Sequence, residues 1–313
     1  MVRGGGRRLA GRAVPVPEVS VIIPVRKADV RLLQQLQALC CQSDAPVFDV
    51  VVVANGDYDG IADLVRSATR EGVRMRVVDG SQRRGVSYAR NVGAAHARGA
   101  ILLFCDGDDV VDSKWVSEMN RALKDHAVVS GALDLKRLNR VAVRAWSVES
   151  PGAALPRSMG YLPYAVGANM GVRAEAYRVL AGCDESYIGG HEEVDFAWRA
   201  QEAGYSIGFA KDAVVHYRLR PTMRALFRQR YNSGRTYSQL YANYRSRIAL
   251  RTSPAREAQI WLEVIRRLAR ARDAVDLGRV VRMAGWHLGR LVGGVRYFAM
   301  GPDDSGLQLR EEA

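Results

Sequence analysis

Ala100-Ile101-Leu102-Leu103-Phe104-Cys105-Asp106-Gly107-Asp108-Asp109 is the stretch on which the reading of this chain turns. Six apolar residues in a row predict a buried strand, and three carboxylates within the next four positions place a dense negative charge at its end. In α/β proteins the carboxyl edge of the sheet is where ligands bind. Carboxylates so close repel one another, so staying ionised together requires a cation or a hydrogen-bond network. An all-oxygen donor set favours Mg²⁺ or Mn²⁺ over zinc. Alone, the tetrad is equally readable as a solvated strand-to-helix turn.

Working back towards the N-terminus, Val19-Ser20-Val21-Ile22-Ile23-Pro24 reads as a buried strand. Leucines 32, 33, 36 and 39 follow at helical spacing over 29–41. Further strands are expected at 48–53, ended by the turn signal Asn55-Gly56-Asp57, and at 73–78. Helices are expected at 61–71 and 88–98. Strand and helix alternate at short spacing, which predicts a doubly wound α/β sheet with a nucleotide across its strand ends. Beyond a helix at 114–124, strands are expected at 128–135 and 141–148 as a mixed extension. A mobile Pro/Gly/Ser-rich loop is expected at 150–164, with helices at 174–180 and 192–203 and an edge strand at 207–216. From about Thr222 the pattern is helical. The expected division is a flexible basic tail over 1–17, a catalytic domain over 18–220, a helical extension over 221–300 and a tail over 301–313.

The 313 residues carry a formal net charge of +13, much of it arginine in the tail and beyond Arg218. Nucleic acid, anionic lipid, a phosphorylated substrate or simply an arginine-rich proteome would fit that charge. No helix-turn-helix, zinc-finger or aromatic RNA-binding signature accompanies it, so nucleic acid is not expected as a partner. Four cysteines without zinc-ligand or redox spacing read as buried thiols in a reducing compartment. The glycine- and arginine-rich start lacks the apolar region of a signal peptide, and no stretch is apolar enough to span a bilayer. A cytoplasmic location follows as the expectation, with peripheral contact at the inner face of the membrane left open.

Two further groups could do chemistry. Gly189-Gly190-His191-Glu192-Glu193-Val194-Asp195-Phe196-Ala197-Trp198-Arg199 sets acids on the first turn of a helix. Asp195 and Arg199 form an i,i+4 pair, whereas Glu192 or Glu193 could enter a cleft and act as a general base. His216 ends an apolar strand, and Arg228, Arg230 and Arg235 follow with Tyr231 and Tyr237 between them, a composition suited to phosphate.

These pieces, with Gly85-Val86-Ser87-Tyr88-Ala89-Arg90-Asn91-Val92-Gly93, Gly167-Ala168-Asn169-Met170 and Cys183-Asp184-Glu185, resemble in this order the inverting glycosyltransferases of family 2. The resemblance covers about residues 18–240 and implies a GT-A-type nucleotide-binding fold, here a doubly wound mixed sheet with a C-terminal helical extension. It implies transfer of one sugar from a UDP-, dTDP- or GDP-sugar to a hydroxyl of a glycan, lipid-linked or natural-product acceptor. Mg²⁺ or Mn²⁺ would be held by Asp106 and Asp108 with help from His216. Glu193 would stand where the family often has its catalytic Asp, with Glu192 beside it as the alternative. Pro24, Val25, Arg26 and Asn55 would cradle the base, Arg90, Arg230 and Arg235 would meet the diphosphate, and Asn169 and Trp198 would face the acceptor. Ala54-Asn55-Gly56-Asp57 stands where many members have Asp-Asp-Gly-Ser, and Arg228-Gln229-Arg230-Tyr231 differs from the motif of the processive polysaccharide synthases. A sugar nucleotidyltransferase, or an inactive nucleotide-sugar-binding scaffold, would share the sheet and the acids.

Overall fold

The structure, a computed structural model, describes residues 16–69, 72–146, 154–248 and 253–299. The expected tails, apart from residues 16 and 17, lie outside these. In chain order the elements begin with β1 (Val19–Val25), α1 (Val30–Cys40), β2 (Phe48–Ala54), α2 (Tyr58–Ala68), β3 (Arg74–Asp79), α3 (Val86–His96) and β4 (Ile101–Cys105). There follow β5 (Val110–Val111), α4 (Trp115–Ala122), β6 (Val128–Asp134), α5 (Val141–Ala145), β7 (Asn169–Arg173), α6 (Ala174–Val179), α7 (Glu192–Glu202) and β8 (Ile207–His216). Three long helices complete the chain, α8 (Met223–Tyr244), α9 (Pro254–Arg270) and α10 (Ala274–Gly294), the last running into a wider π-type turn at Val295–Ala299.

All eight strands form one sheet in the order β3-β2-β1-β4-β7-β6-β8-β5. β1 to β4 run parallel, so Val25, Ala54, Asp79 and Cys105 all end at one edge. β7 runs antiparallel between β4 and β6, which makes the sheet mixed. Alternate residues of the buried strands point to opposite faces. Val21, Ile23, Val50, Val52 and Leu103 pack with Leu32, Leu36, Ile61 and Trp115 from α1, α2 and α4. Ile22, Val51, Val53, Leu102 and Phe104 pack on the other face with Ala89, Tyr177 and Phe196 from α3, α6 and α7. The helix on each face is therefore dictated by which half of each strand is apolar, and here both halves are.

Several expectations are corrected. The segment 141–148, read as a strand, is the short helix α5 as far as it is described. Its Trp146 is buried where a side chain on Gly278 of α10 would otherwise sit, so docking under α10 overrides the apolar alternation. β8 is not a bare edge, because β5 pairs with its last residues, Val110 with His216 and Val111 with Val215. The described part of the 150–164 loop is tied down. Arg157 bridges to Pro163, and Tyr161 stacks edge-on against Trp198 at 5.0 Å. Of the four thiols, Cys105 and Cys183 are buried, but Cys41 is exposed.

The helical extension is fastened by glycine. Side chains on Gly285 and Gly289 of α10 would run into the backbone oxygens of Phe227 and Tyr231 on α8, at 2.9 and 2.1 Å. Gly234 and Gly293 make equally close approaches, so the two helices meet backbone to backbone along their length. α8 in turn buries Leu240 and Tyr244 against Val194 and Trp198 of α7. Among the described residues no helix is long and apolar enough to cross a membrane.

Candidate active site

The parallel strand ends and the start of α7 face one another. Asp106, Asp108 and Asp109 leave β4 with one oxygen each inside a 4.8 Å cluster. Asp109 is fully buried, accepts from the backbone N–H of Arg218 at 2.6 Å, and has its Oδ2 buried without a partner. Burial pushes its pKa far up, with the charges of Asp106 and Asp108 adding to the effect. Asp106 is raised chiefly by burial as well. Such a triad is costly without a cation. An orphaned buried oxygen and three hard oxygen donors fit Mg²⁺ or Mn²⁺.

Opposite the triad, Gly189 and Gly190 at φ 122° and 123° and His191 at φ 73° swing the chain through a left-handed turn into α7. Only glycine adopts the first two conformations without strain. The turn sends Glu192 and Glu193 in different directions. Glu192, 3% exposed, accepts from Arg90 Nη1 at 2.6 Å. Arg90 also donates to the Gly167 carbonyl at 2.9 Å and reaches Asp106 at 3.5 Å. Burial works against the Arg90 charge, but Glu192 and then Asp106 outweigh it, so its pKa lies above the ordinary value. Arg90 is therefore a buried strut, 3% exposed, that joins Glu192 to the acid triad.

Glu193 has a different setting. Its Oε2 is buried without a partner. Burial, and secondly the charge of Glu192, raise its pKa to about 8. Tyr164 lies beside it, pushed to about 12 by burial and then by Glu193. Of the two acids, Glu192 is tied to Arg90, and Glu193 keeps a buried oxygen without a partner.

Other expected site residues fall elsewhere. His216 is not part of the acid triad. Its Nδ1 meets Asp134 Oδ2 at 2.8 Å and its Nε2 meets Arg137 at 2.9 Å, which engages both ring nitrogens and holds β8 to β6. Asn169 is fully buried. Its amide donates to the carbonyls of Ala132 and Ala213 at 2.8 and 2.9 Å and its oxygen accepts from Trp115 at 2.7 Å, so its polar atoms are engaged inside the protein. Trp198 is likewise fully buried, with its Nε1 on the Leu162 carbonyl at 2.8 Å. Asn55 braces its turn, donating to the carbonyls of Gly80 and Arg83 and accepting from Gly85 N–H at 3.1 Å. Pro24 and exposed Arg26 line the end of β1, whereas Val25 is buried at 6%. Arg230 lies over the Trp286 ring at 4.6 Å, and Arg235, five residues on, occupies a different face of α8.

The sequence reading missed Arg220 and Arg218. Arg220 Nη1 meets Asp108 Oδ2 at 2.7 Å, and Arg218 Nε donates to the Asp108 carbonyl at 2.8 Å. The run His216-Tyr217-Arg218-Leu219-Arg220 carried the signal, basic residues alternating directly after a strand whose end pairs with β5, just past the acidic turn.

The sequence profile described as Glycosyl transferase family 2 matches residues 20–180, just over half of the chain, and that described as Glycosyl transferase family group 2 matches 101–286. The chain belongs to glycosyl transferase family 2. This glycosyltransferase is 27% identical to Glycosyltransferase AglE of Haloferax volcanii over 68% of its own length and 71% of that protein's. It is also 27% identical to the undecaprenyl-phosphate 4-deoxy-4-formamido-L-arabinose transferase of Pseudomonas paraeruginosa, over 52% of this chain and 48% of that one. Its fold is similar to the mannosyltransferase PcManGT from Pyrobaculum calidifontis, solved with GDP-Man and Mn²⁺, at 18% identity and a TM-score of 0.57, covering 94% of this chain and 79% of that one. TarS 1–349 of S. aureus, solved with UDP-GlcNAc, is similar at 14% identity and a TM-score of 0.52, covering 91% and 92%. The glycosyltransferase thus has the GT-A architecture expected from its motifs, with C-terminal helices added.

Proposed function

We propose that this glycosyltransferase moves a single sugar from a nucleotide-diphosphate sugar to an acceptor hydroxyl with inversion, with residues 18–220 as the catalytic domain and 221–300 closing the acceptor side. The observation that carries the reading is Glu193. It is a carboxyl group with an unpartnered buried oxygen, its pKa raised to about 8 by burial and by Glu192, the neighbour that Arg90 joins to the acid triad. A general base works best with a pKa near the operating pH.

Asp106 and Asp108, with Asp109 behind them, would hold Mg²⁺ or Mn²⁺, which when bound neutralises charge developing on the leaving diphosphate. Arg220 and Arg218, already at Asp108, are placed to meet the same phosphates. Glu193 removes the acceptor proton, and its place opposite the triad suits in-line attack from the far face of the sugar. Arg90 and Glu192 keep acid triad and base in register, since orientation supplies much of the acceleration in such a step. GDP-Man and UDP-GlcNAc in the two similar structures support a nucleotide-sugar donor.

The test is a panel of UDP-, dTDP- and GDP-sugars with Mn²⁺ or Mg²⁺. The true donor, at saturation, stabilises the fold by about 3 kcal/mol in a metal-dependent way. NMR of the product then reads the anomeric configuration. Retention of configuration, or protection without metal, overturns this mechanism.

A further inference from the structure

Arg230 and Arg282 face one another across the seam between α8 and α10. Gly285 of α10 lies against Arg230, its missing side chain 3.2 Å from the Arg230 Cβ, and Arg282 is three residues earlier on the same helix face. The Nε atoms of both guanidiniums are buried without a hydrogen-bond partner. Among the described residues neither arginine is ion-paired. Their neighbours Arg267 and Arg279, by contrast, each have an acid within one turn, Glu263 and Asp276. Burial, and secondly the charge of Arg282, lower the Arg230 pKa to about 10. Arg282 is lowered too, by burial and then by Arg267 and Arg279. Two half-buried like charges without a counter-ion are a cost the fold maintains, and an anion with several acceptor oxygens relieves it.

Arg230 faces two tyrosines, Tyr164 beside Glu193 and Tyr217 beside the acid triad, so the pair lies within reach of the site without itself acting on the acids. Arg90 and Arg220 are the cations that act on Asp106, whereas Arg230 acts on Tyr164, the residue beside Glu193, and on His191, whose pKa burial and then Arg230 hold down at about 4. Beyond Arg282 the surface continues into a cleft of about 200 Å³ between α9 and α10, lined by Arg266, Arg267, Arg270 and Arg279 with Glu263 and Asp276.

We propose that Arg230 and Arg282 form a phosphate-binding site on the acceptor side of the cleft, so that the acceptor is a phosphate-bearing alcohol whose hydroxyl is delivered to Glu193. A dianionic phosphate answers both guanidinium forks, where a carboxylate would leave one charge over. The substrate class rests on the glycosyl-transfer reading, but the phosphate site does not, and it is testable with neither metal nor donor present.

The experiment titrates inorganic phosphate and pyrophosphate into the full-length protein in EDTA, followed by calorimetry and thermal melting. The wild type binds and melts higher. Arg282→Gln and Arg230→Gln bind at least tenfold more weakly, and Arg282→Lys recovers part of the loss. Without phosphate, Arg282→Gln melts above the wild type by about 2 °C, because a like-charge contact is gone. Circular dichroism verifies that each variant is folded. Phosphatidylglycerol and phosphatidylcholine vesicles then distinguish the source of the phosphate. Selective binding to phosphatidylglycerol that falls in Arg282→Gln identifies a lipid headgroup, and vesicle binding untouched by the substitution identifies a small phosphorylated acceptor. Absence of phosphate binding in the wild type, or equal binding by Arg282→Gln, overturns the site. Absence of sugar transfer from every donor would instead overturn the glycosyl-transfer reading and leave the anion site standing.

Discussion

Arg220 is ion-paired with Asp108 at 2.7 Å, and Arg31 stands 3.7 Å from the same oxygen. The acid expected to hold a divalent cation is therefore engaged by guanidinium groups. The Asp108 and Arg220 side chains are 24% and 31% exposed, so the pair is partly screened and exchangeable, with a worth of about 0.5–1 kcal/mol. Arg220→Gln should bind Mn²⁺ alone two- to fivefold more tightly than the wild type by calorimetry, while binding nucleotide sugar more weakly. Asp108→Asn should keep the fold and lose metal-dependent donor binding. Unchanged metal affinity in Arg220→Gln would mean that the two do not compete.

The adjacent glutamates should behave oppositely. Glu193→Gln should bind donor normally and transfer sugar about 10²–10⁴-fold more slowly, the usual worth of general base catalysis. Glu192→Gln leaves Arg90 buried beside a neutral partner, and breaking one side of a buried pair costs about 3–5 kcal/mol. Its defect should therefore appear in the denaturation midpoint. A Glu193→Gln protein with near-normal turnover in single-turnover assays would remove it from the chemistry.

pH should pull activity and stability in opposite directions. The Glu193 pKa rises on folding from the ordinary 4.5 to about 8, so the folded protein binds a proton that the unfolded chain has released. That contribution to stability is complete below about pH 4.5, declines above it, and is lost as pH passes about 8. The base works only when ionised, so kcat/KM should rise over the approach to pH 8. Urea titrations across pH 5–9 should show the downward limb in the wild type and a flatter one in Glu193→Gln.

Asn169 should prove structural. Asn169→Ala orphans the Trp115 Nε1 and the carbonyls of Ala132 and Ala213, each costing about 1–3 kcal/mol when buried. Poor expression or a large fall in melting temperature is the expected outcome. A folded variant with only a raised KM for acceptor would restore the binding role expected from its motif.

The parallel half of the sheet was legible because its strands are continuous apolar runs ended by turn residues, as in Phe48 to Ala54 followed by Asn55-Gly56. β7 was not, since Asn-Met-Gly-Val-Arg is short and neither alternates nor runs apolar, and its strand character comes from pairing on both sides with β4 and β6. The acid cluster could be picked out from composition and position, whereas composition left Glu192 and Glu193 as alternatives and only the family resemblance preferred Glu193. The destinations of Arg90, Asn169 and Trp198 could not, because burial among partners distant in sequence is invisible in a motif. The helical pattern beyond Thr222 was legible as well, and the glycine contacts pack α10 onto α8.

The glycine seam between α8 and α10 acts as a spacing gauge for chemistry it never touches. Gly285 sets how far Arg230 stands from α10, and α8 is keyed through Tyr244 to the helix that carries Glu192 and Glu193 in its first turn. A methyl group at Gly289 would collide with the Tyr231 carbonyl at 2.1 Å and wedge the helices apart. Drift in that one position would detune acceptor placement while leaving every acid in the cleft intact. Relatives that keep the acidic motif but carry bulkier residues along the seam would therefore be expected to accept differently shaped acceptors from the same kind of donor.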